Sequence, residues 1–224
     1  MAILYIVATP LGNLDDITTR AINTLKEVDL ILCEDTRRTL KLLASYEIKT
    51  PLLSYHYHSK ESKIEKILKA LASGKKIALV SDAGTPAISD PGSFLIKKII
   101  EKFNNSVEII PIPGCSAVTT IASISGFPVD RFLFLGFPPV KKKRKAFFDE
   151  VASSEYPVII YESPHRIIRT VNELLLYDKD REIVIGRELT KKFETVYRGT
   201  IGDVLSELKR STLKGEFVII LKSL

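Results

Sequence analysis

At 224 residues the chain is long enough for a well-buried core, as one large domain or two small ones. Its composition, 45% hydrophobic and 27% charged, is that of an ordinary soluble globular protein, and no apolar run approaches the ~20 residues a bilayer span needs. Thirty-three basic against 27 acidic side chains leave a net charge of +6, which suits a polyanionic partner and is equally explained by solubility alone. The opening Met1-Ala2-Ile3-Leu4-Tyr5 lacks a basic n-region and a small-residue cleavage site, so it reads as a first strand and not as a signal peptide. Only Cys33 and Cys115 occur, far apart, which points to a reducing compartment without a disulfide framework. Two cysteines and three histidines without tight spacing argue against a structural zinc site.

Taken in chain order, residues 3–8 form an apolar run that ends in the turn Thr9-Pro10-Leu11-Gly12-Asn13. Asp15 or Asp16 is placed to cap the helix that follows, whose face carries Ile17, Ala21, Ile22 and Leu25. A short strand over 29–33 precedes a helix over 36–46. Another helix over 62–73 repeats Ile64, Ile67, Leu68 and Leu71, with Gly74 just past its end. A strand over 77–80 has the continuous apolar character of a buried parallel strand. A helix over 94–103 and a strand over 107–112 follow. Strands separated by helices imply right-handed parallel βαβ units, whose ligands gather at the carboxyl ends of the strands.

The second half reads as strands over 132–137, 158–161, 182–187, 195–198 and 216–221, several joined by short turns, hence a mixed or antiparallel sheet. Ser163-Pro164 predicts a helix start, with serine as N-cap and proline at the first helical position. Thr200 is placed to cap a later helix. The predicted domains are 1–113, an α/β domain on a parallel sheet, and 114–224, an α/β domain on a mixed sheet.

The most informative segment is Ser81-Asp82-Ala83-Gly84-Thr85-Pro86-Ala87-Ile88-Ser89-Asp90-Pro91-Gly92, between a buried strand and a helix. Two glycines and two prolines in twelve residues fix a tight loop whose small residues let a ligand approach the backbone. The alternative is a purely structural turn in which Asp90 caps the next helix. No dinucleotide G-x-G-x-x-G fingerprint or P-loop occurs, which excludes the common dehydrogenase and NTPase sites. Pro113-Gly114-Cys115-Ser116-Ala117 opens a helix of small residues whose amides can hold a carboxylate, or which packs closely because its side chains are small. Cys33-Glu34-Asp35-Thr36-Arg37-Arg38 reads either as a substrate-orienting charge cluster or as a helix start capped by Asp35. Tyr161-Glu162-Ser163-Pro164-His165-Arg166 and Gly186-Arg187-Glu188-Leu189-Thr190-Lys191-Lys192 each end a strand and couple carboxylates to cations suited to phosphate. Lys141-Lys142-Lys143-Arg144-Lys145 is an electrostatic footprint for nucleic acid or a solvated charge run. Tyr55-His56-Tyr57-His58 offers rings either for stacking on bases or for packing.

The segments Ala8 to Leu14, Cys33 to Arg37, Ser81 to Gly92, Pro111 to Ala117, Gly136-Phe137-Pro138, Tyr161 to Arg166 and Arg187 to Lys191 together resemble the tetrapyrrole-methylase family, and most nearly its branch that acts on ribosomal RNA. They span nearly the whole chain, and their joint occurrence is specific although each alone is weak. The resemblance implies the two-domain α/β tetrapyrrole-methylase fold (class III of S-adenosylmethionine methyltransferases), with the cofactor in a cleft between the domains. It implies S-adenosylmethionine-dependent methylation of the ribose 2′-hydroxyl of a cytidine in the decoding region of 16S rRNA, in the small ribosomal subunit. It also implies a cytoplasmic homodimer without membrane or metal. A methylase of the same fold acting on a tetrapyrrole or a modified protein histidine is the alternative.

By the family pattern the cofactor is expected to contact Asp82, Ala83, Gly84, Ile88, Ser116, Ala117, Glu162 and Leu189. The substrate is expected at Pro10, Leu11, Gly12 and Asn13, with Arg37, Lys141, Lys142, Lys143, Arg144 and Arg166 as cations for RNA. The proton-handling group is sought among Glu34, Asp35, Glu162, Arg187 and Glu188. Longer members of the family carry an extra C-terminal segment, whereas this sequence stops at Leu224, soon after its last strand.

Overall fold

A computed structural model describes residues 2–224, and the chain divides into two compact units, Met1–Ser116 and Ala117–Leu224. In the first, β1 (Ala2–Val7), β2 (Leu30–Cys33), β3 (Leu52–Ser54), β4 (Lys76–Leu79) and β5 (Val107–Ile112) form one sheet in the order β3-β2-β4-β1-β5. All its pairings are parallel. The connections run through α1 (Thr19–Glu27), α2 (Thr36–Ser45), α3 (Glu61–Ala72) and α4 (Gly92–Phe103).

Both faces of this sheet are covered, which is why its strands are apolar runs without alternation. Leu4, Leu32, Ile77 and Leu79 pack with Ile64, Ile67 and Leu68 of α3 and with Leu95 and Ile99 of α4. On the other face Val7, Ile31 and Ala78 pack with Ala21 and Leu25 of α1 and Leu43 of α2.

Two end signals are as the sequence predicts. Gly74 takes φ +86° and its amide bonds the Leu71 carbonyl, closing α3. Asp35 caps α2 by accepting from the Arg37 amide at 2.8 Å. The cap of α1 differs. Asn13 caps a single 3₁₀ turn, Leu14–Asp16, that contains both aspartates, and Thr18 accepts from the Ala21 amide to start the helix proper. The three-residue strand β3 is too short to show a period.

The second unit holds α5 (Ala117–Ser125), β6 (Leu133–Phe134), α6 (Arg144–Ser153), β7 (Val158–Glu162), α7 (Ile167–Leu175), β8 (Glu182–Arg187), β9 (Thr195–Thr200), α8 (Ile201–Leu208) and β10 (Phe217–Leu221). Its sheet runs β6-β7-β10-β8-β9. Only β6–β7 is parallel, so the sheet is mixed. Alternation sorts its residues to two faces: Val158, Ile160, Ile183, Ile185 and Ile219 lie against α6, α7 and α8, while Ile159, Val184, Val218 and Ile220 meet Val118 and Ile121 of α5.

Two readings of this half need correction, and one helix, α6, escapes the sequence pattern. The strand expected over 132–137 is cut to two residues, because Gly136 turns to φ +64° and two prolines follow that cannot donate to a ladder. Ser163-Pro164 begins a turn and α7 starts only at Ile167. The Ser163 carbonyl accepts from both the Arg166 and Ile167 amides, and its hydroxyl accepts from the Arg166 guanidinium. The basic run sits partly in α6, whose lysine-rich start hides the apolar stripe of Phe148 and Val151. Among the described residues no helix is long and apolar enough to cross a membrane, and no group of three or more His, Cys, Asp or Glu is arranged to hold a metal.

Candidate cofactor and substrate site

In the first unit three loops are knitted together at the carboxyl ends of β1, β4 and β5. Thr9 and Gly84 exchange backbone hydrogen bonds of 2.9 and 3.0 Å, and the Thr9 hydroxyl donates to the Ser81 carbonyl. The Ser81 hydroxyl turns back to the carbonyls of Ala83 and Gly84. The Thr85 hydroxyl donates to the Cys115 carbonyl at 2.9 Å, and the Cys115 thiol reaches the Asp16 carbonyl.

Gly84 requires its lack of a side chain twice over. Its φ is +79°, and a Cβ there would stand 3.3 Å from the Leu11 side chain and 3.6 Å from the Cys115 carbonyl. Further along the loop Ala87 and Ser89 also take positive φ, and Asp90 holds this conformation by accepting from the amides of Ala87 at 2.6 Å and Gly92 at 3.2 Å. Two non-glycine residues at positive φ within three positions are the kind of local strain that clusters at ligand-binding loops. Gly12, Asn13 and Ile88 are exposed, whereas Pro10 is buried beneath them.

Beside these loops the carboxyl end of β2 brings Glu34 near Asp82 and Asp90. Asp82 accepts from the Asp35 amide at 3.2 Å and from the Arg38 guanidinium at 3.3 Å, so it ties the end of β4 to the start of α2. No hydrogen bond within the described residues reaches the Glu34 carboxylate. Half-burial, then the negative charges of Asp90 and Asp82, push its carboxyl up to about 7, against a smaller opposing pull from Arg38. Asp35 is the opposite case. The Arg37 guanidinium grips it at 2.9 and 3.1 Å and holds it well below the usual carboxylate range. Arg37 is exposed, but its guanidinium is spent on that pair. The sequence places Arg38 in the charge cluster but does not foresee its pairing with Asp82. Its partner lies 44 residues away, and nothing local announces it.

The second unit places its candidates differently. Glu162 is buried, and its carboxylate is fully committed. It accepts from the Thr170 hydroxyl at 2.6 Å, the Ser163 amide at 2.7 Å and the Arg166 guanidinium at 2.9 Å. Arg144, expected at the surface for RNA, is 5% exposed and belongs to the same network. It donates to Glu173 at 2.7 Å, to the Thr170 hydroxyl and the Pro139 carbonyl at 2.8 Å, and lies over the Phe148 ring. The physical reason is helical: Arg144 opens α6 on its inward face, one turn before Phe148. The basic run therefore presents Lys141, Lys142, Lys143 and Lys145 outward, and Lys145 is paired with Asp149.

Arg166 likewise spends its guanidinium on Glu162 and the Pro138 carbonyl. Arg187 donates to the Lys214 carbonyl, and its other arm reaches the Thr195 hydroxyl. Glu188 accepts from Lys191 and the Glu216 amide. Burial pushes its carboxyl up, but the Lys191 ammonium and that amide more than offset it, and the net shift is downward. Leu189 is buried, its side chain closing over Gly186. Of the five residues considered for proton handling, Glu34 alone combines partial exposure with an unengaged carboxylate.

Parallel and mixed sheets in this order, with elaborate loops at the strand ends, define the class. Residues 3–205 match the model of the tetrapyrrole (corrin/porphyrin) methylases, and the chain belongs to that family. Solved structures share the fold at low identity. A cobalt precorrin-4 methyltransferase of cobalamin biosynthesis superposes with a TM-score of 0.72 at 18% identity, covering 98% of this chain and 94% of its own. A diphthine synthase gives 0.73 at 16%, covering 99% and 90%. A uroporphyrin-III C-methyltransferase from Thermus thermophilus, solved with S-adenosyl homocysteine, gives 0.65 at 16%, covering 97% and 96%.

Relatives named ribosomal RNA small subunit methyltransferase I are far more similar in sequence. That of Halalkalibacterium halodurans is 46% identical over 98% of this chain and 75% of its own length. That of Thermotoga maritima is 43% identical over 99% of this chain and 98% of its own.

Proposed function

We propose that this chain transfers a methyl group from S-adenosylmethionine to small-subunit ribosomal RNA, and that the acceptor is the ribose 2′-hydroxyl of a cytidine in the decoding region of 16S rRNA. The observation that carries the reading is the contrast in likeness. Identity is 43–47% over nearly the whole chain to proteins named for ribosomal RNA, against 14–18% to tetrapyrrole and diphthine enzymes of the same fold. The enzyme works as a cytoplasmic homodimer in this reading.

The first unit suits the cofactor. Bare backbone at Gly84, the small side chain of Ala83, the exposed Ile88 and the half-exposed Asp82 carboxylate supply close approach, apolar contact and an acceptor for an amine or hydroxyl. Ser116, at the end of the same unit, completes the proposed contact set there. When bound, the cofactor supplies an activated methyl on a positively charged sulfur.

The chain's own task is then to align the acceptor oxygen and remove its proton. Glu34 is assigned the proton. With the methyl group supplied by the cofactor, the hydroxyl proton of the acceptor would pass to the Glu34 carboxylate as its oxygen is methylated. A carboxyl that titrates near neutral pH is matched to that task, being ionised in part and basic enough to accept. Asp82, Arg38 and Asp90 act as its electrostatic surroundings. Leu11, Gly12 and Asn13 face the substrate, and the buried Pro10 shapes their turn.

The test offers labelled S-adenosylmethionine together with undermethylated small ribosomal subunits, a tetrapyrrole acceptor and a diphthine-precursor protein. Label entering only RNA supports the reading; label entering only either of the others overturns it.

A further inference from the structure

The loop between β6 and α6 is built in an unusual way. Phe137 and Val140 are 50% and 60% exposed on it, and Lys141, Lys142 and Lys143 all face solvent. None of the three lysines is paired with an acidic side chain within the described residues, whereas Lys145, two positions on, is paired with Asp149. A loop carrying two exposed apolar side chains and three like charges gains little from packing or charge. Yet its backbone is fixed from beneath by two guanidiniums. Arg166 holds the Pro138 carbonyl at 2.9 Å, and Arg144 holds the Pro139 carbonyl at 2.8 Å.

Both arginines are anchored in turn on Glu162, directly or through Thr170, and Arg144 also on Glu173. The Arg144 amide closes a turn on the Lys141 carbonyl, with Lys143 in the left-handed region at φ +62°. Phe137 is set at an angle against Tyr161, with ring centroids 5.4 Å apart, and half of its surface stays open to solvent.

We infer that residues 137–143 form a preorganised contact for single-stranded RNA, in which Phe137 stacks on a base, Lys141 to Lys143 meet phosphates, and Arg144 and Arg166 are positioning residues that never touch the RNA. This rests on the ribosomal RNA reading above. A half-exposed aromatic ring beside unpaired cations is the combination that single strands require, since stacking and phosphate neutralisation together supply most of their binding. The buried anchors matter because each lysine left to wander would cost ordering entropy on binding. The sequence offers five consecutive cations without distinction; the structure divides them into three that present charge, one that is paired and one that is buried.

The test measures binding of the full chain to a single-stranded fragment of small-subunit rRNA as a function of salt, with methyl transfer to small subunits followed alongside. Replacing Lys141, Lys142 and Lys143 together by alanine is expected to lower the slope of log affinity against log salt by roughly 2, at about 0.7 per phosphate on single strands. Phe137→Ala is expected to weaken binding roughly tenfold or more without changing that slope, as loss of one stacked base does. Arg144→Lys, which keeps the charge but loses the fork, is expected to weaken RNA binding at an unchanged slope, with KM for S-adenosylmethionine unchanged. A slope that falls by about 0.7 in Arg144→Lys would show the residue on a phosphate and overturn its positioning role. Unchanged affinity and slope in the triple-lysine variant, with wild-type chain still methylating RNA, would overturn the loop's role while leaving the function intact. Wild-type chain that neither binds nor methylates RNA would overturn the function itself.

Discussion

Glu34→Gln removes one ionisable group from the strand-end cluster and preserves its shape, so it separates charge from packing. Burial and the charges of Asp90 and Asp82 move the Glu34 carboxyl from 4.5 to about 7. At ~1.4 kcal/mol per pH unit the full shift corresponds to ~3 kcal/mol, and because the carboxylate is only half-buried, water reduces this to about 1–2 kcal/mol. The sign follows from proton counting. Between pH 4.5 and 7 the folded chain still holds the proton that the unfolded chain has released, so stability falls as pH rises through that window. The cost is absent below it and complete above it.

Glu34→Gln is therefore expected to match the wild type in urea unfolding near pH 4.5 and to exceed it by about 1–2 kcal/mol at pH 8. Activity moves the other way. Single-turnover methyl transfer by the wild type is expected to rise with pH to a plateau above about 7, and the variant to lose ~10²–10⁴-fold with that dependence gone. A variant that keeps both the rate and the pH profile would remove Glu34 from the mechanism, and a stability difference that does not vary with pH would remove the electrostatic account of the cluster.

Asp90→Asn keeps the side-chain oxygen that holds Ala87 and Gly92 but deletes a like charge near Glu34, so the midpoint of the pH–rate profile is expected to move to lower pH; a midpoint that stays or rises would contradict it. Gly84→Ala meets both a positive φ and the Leu11 side chain, and is expected to cost more than ~1 kcal/mol of stability and to weaken S-adenosylmethionine binding, read by thermal unfolding with and without cofactor. Glu162→Ala leaves the Arg166 guanidinium without its carboxylate and is expected to cost roughly 3–5 kcal/mol in denaturant unfolding. A Glu162→Ala chain that is fully stable yet inactive would instead make Glu162 a catalytic group.

The fold was legible because its signals are local. Strand-to-helix alternation, Gly74 after Leu71, Asp35 before Thr36 and Thr200 before Ile201 each state an element or an end within a few residues. The loops were legible for the same reason, since glycines and prolines at 81–92 and 113–114 announce special backbone. What escaped depends on contacts distant in sequence. Glu34, Glu162 and Glu188 look alike as carboxylates at strand ends. Only burial and partners drawn from other elements separate the unengaged Glu34 from Glu162, which Thr170 and Arg166 hold, and Glu188, which Lys191 and Glu216 hold. Arg144 misleads for a related reason: five consecutive cations read as one surface, yet the helix begins at Arg144, and the position one turn before Phe148 on its inner face must point inward. Asp15 and Asp16 had the right chemistry for a cap, but both are taken up in the 3₁₀ turn before α1, which leaves the cap to Thr18.

The most direct measurement is mass-spectrometric mapping of the methylated nucleoside after the purified chain acts on small subunits from cells that lack the modification. One new 2′-O-methylcytidine is expected, in the decoding region of 16S rRNA, and it disappears with Glu34→Gln. A methyl group on a base, on several ribose positions, or on no RNA at all would contradict it.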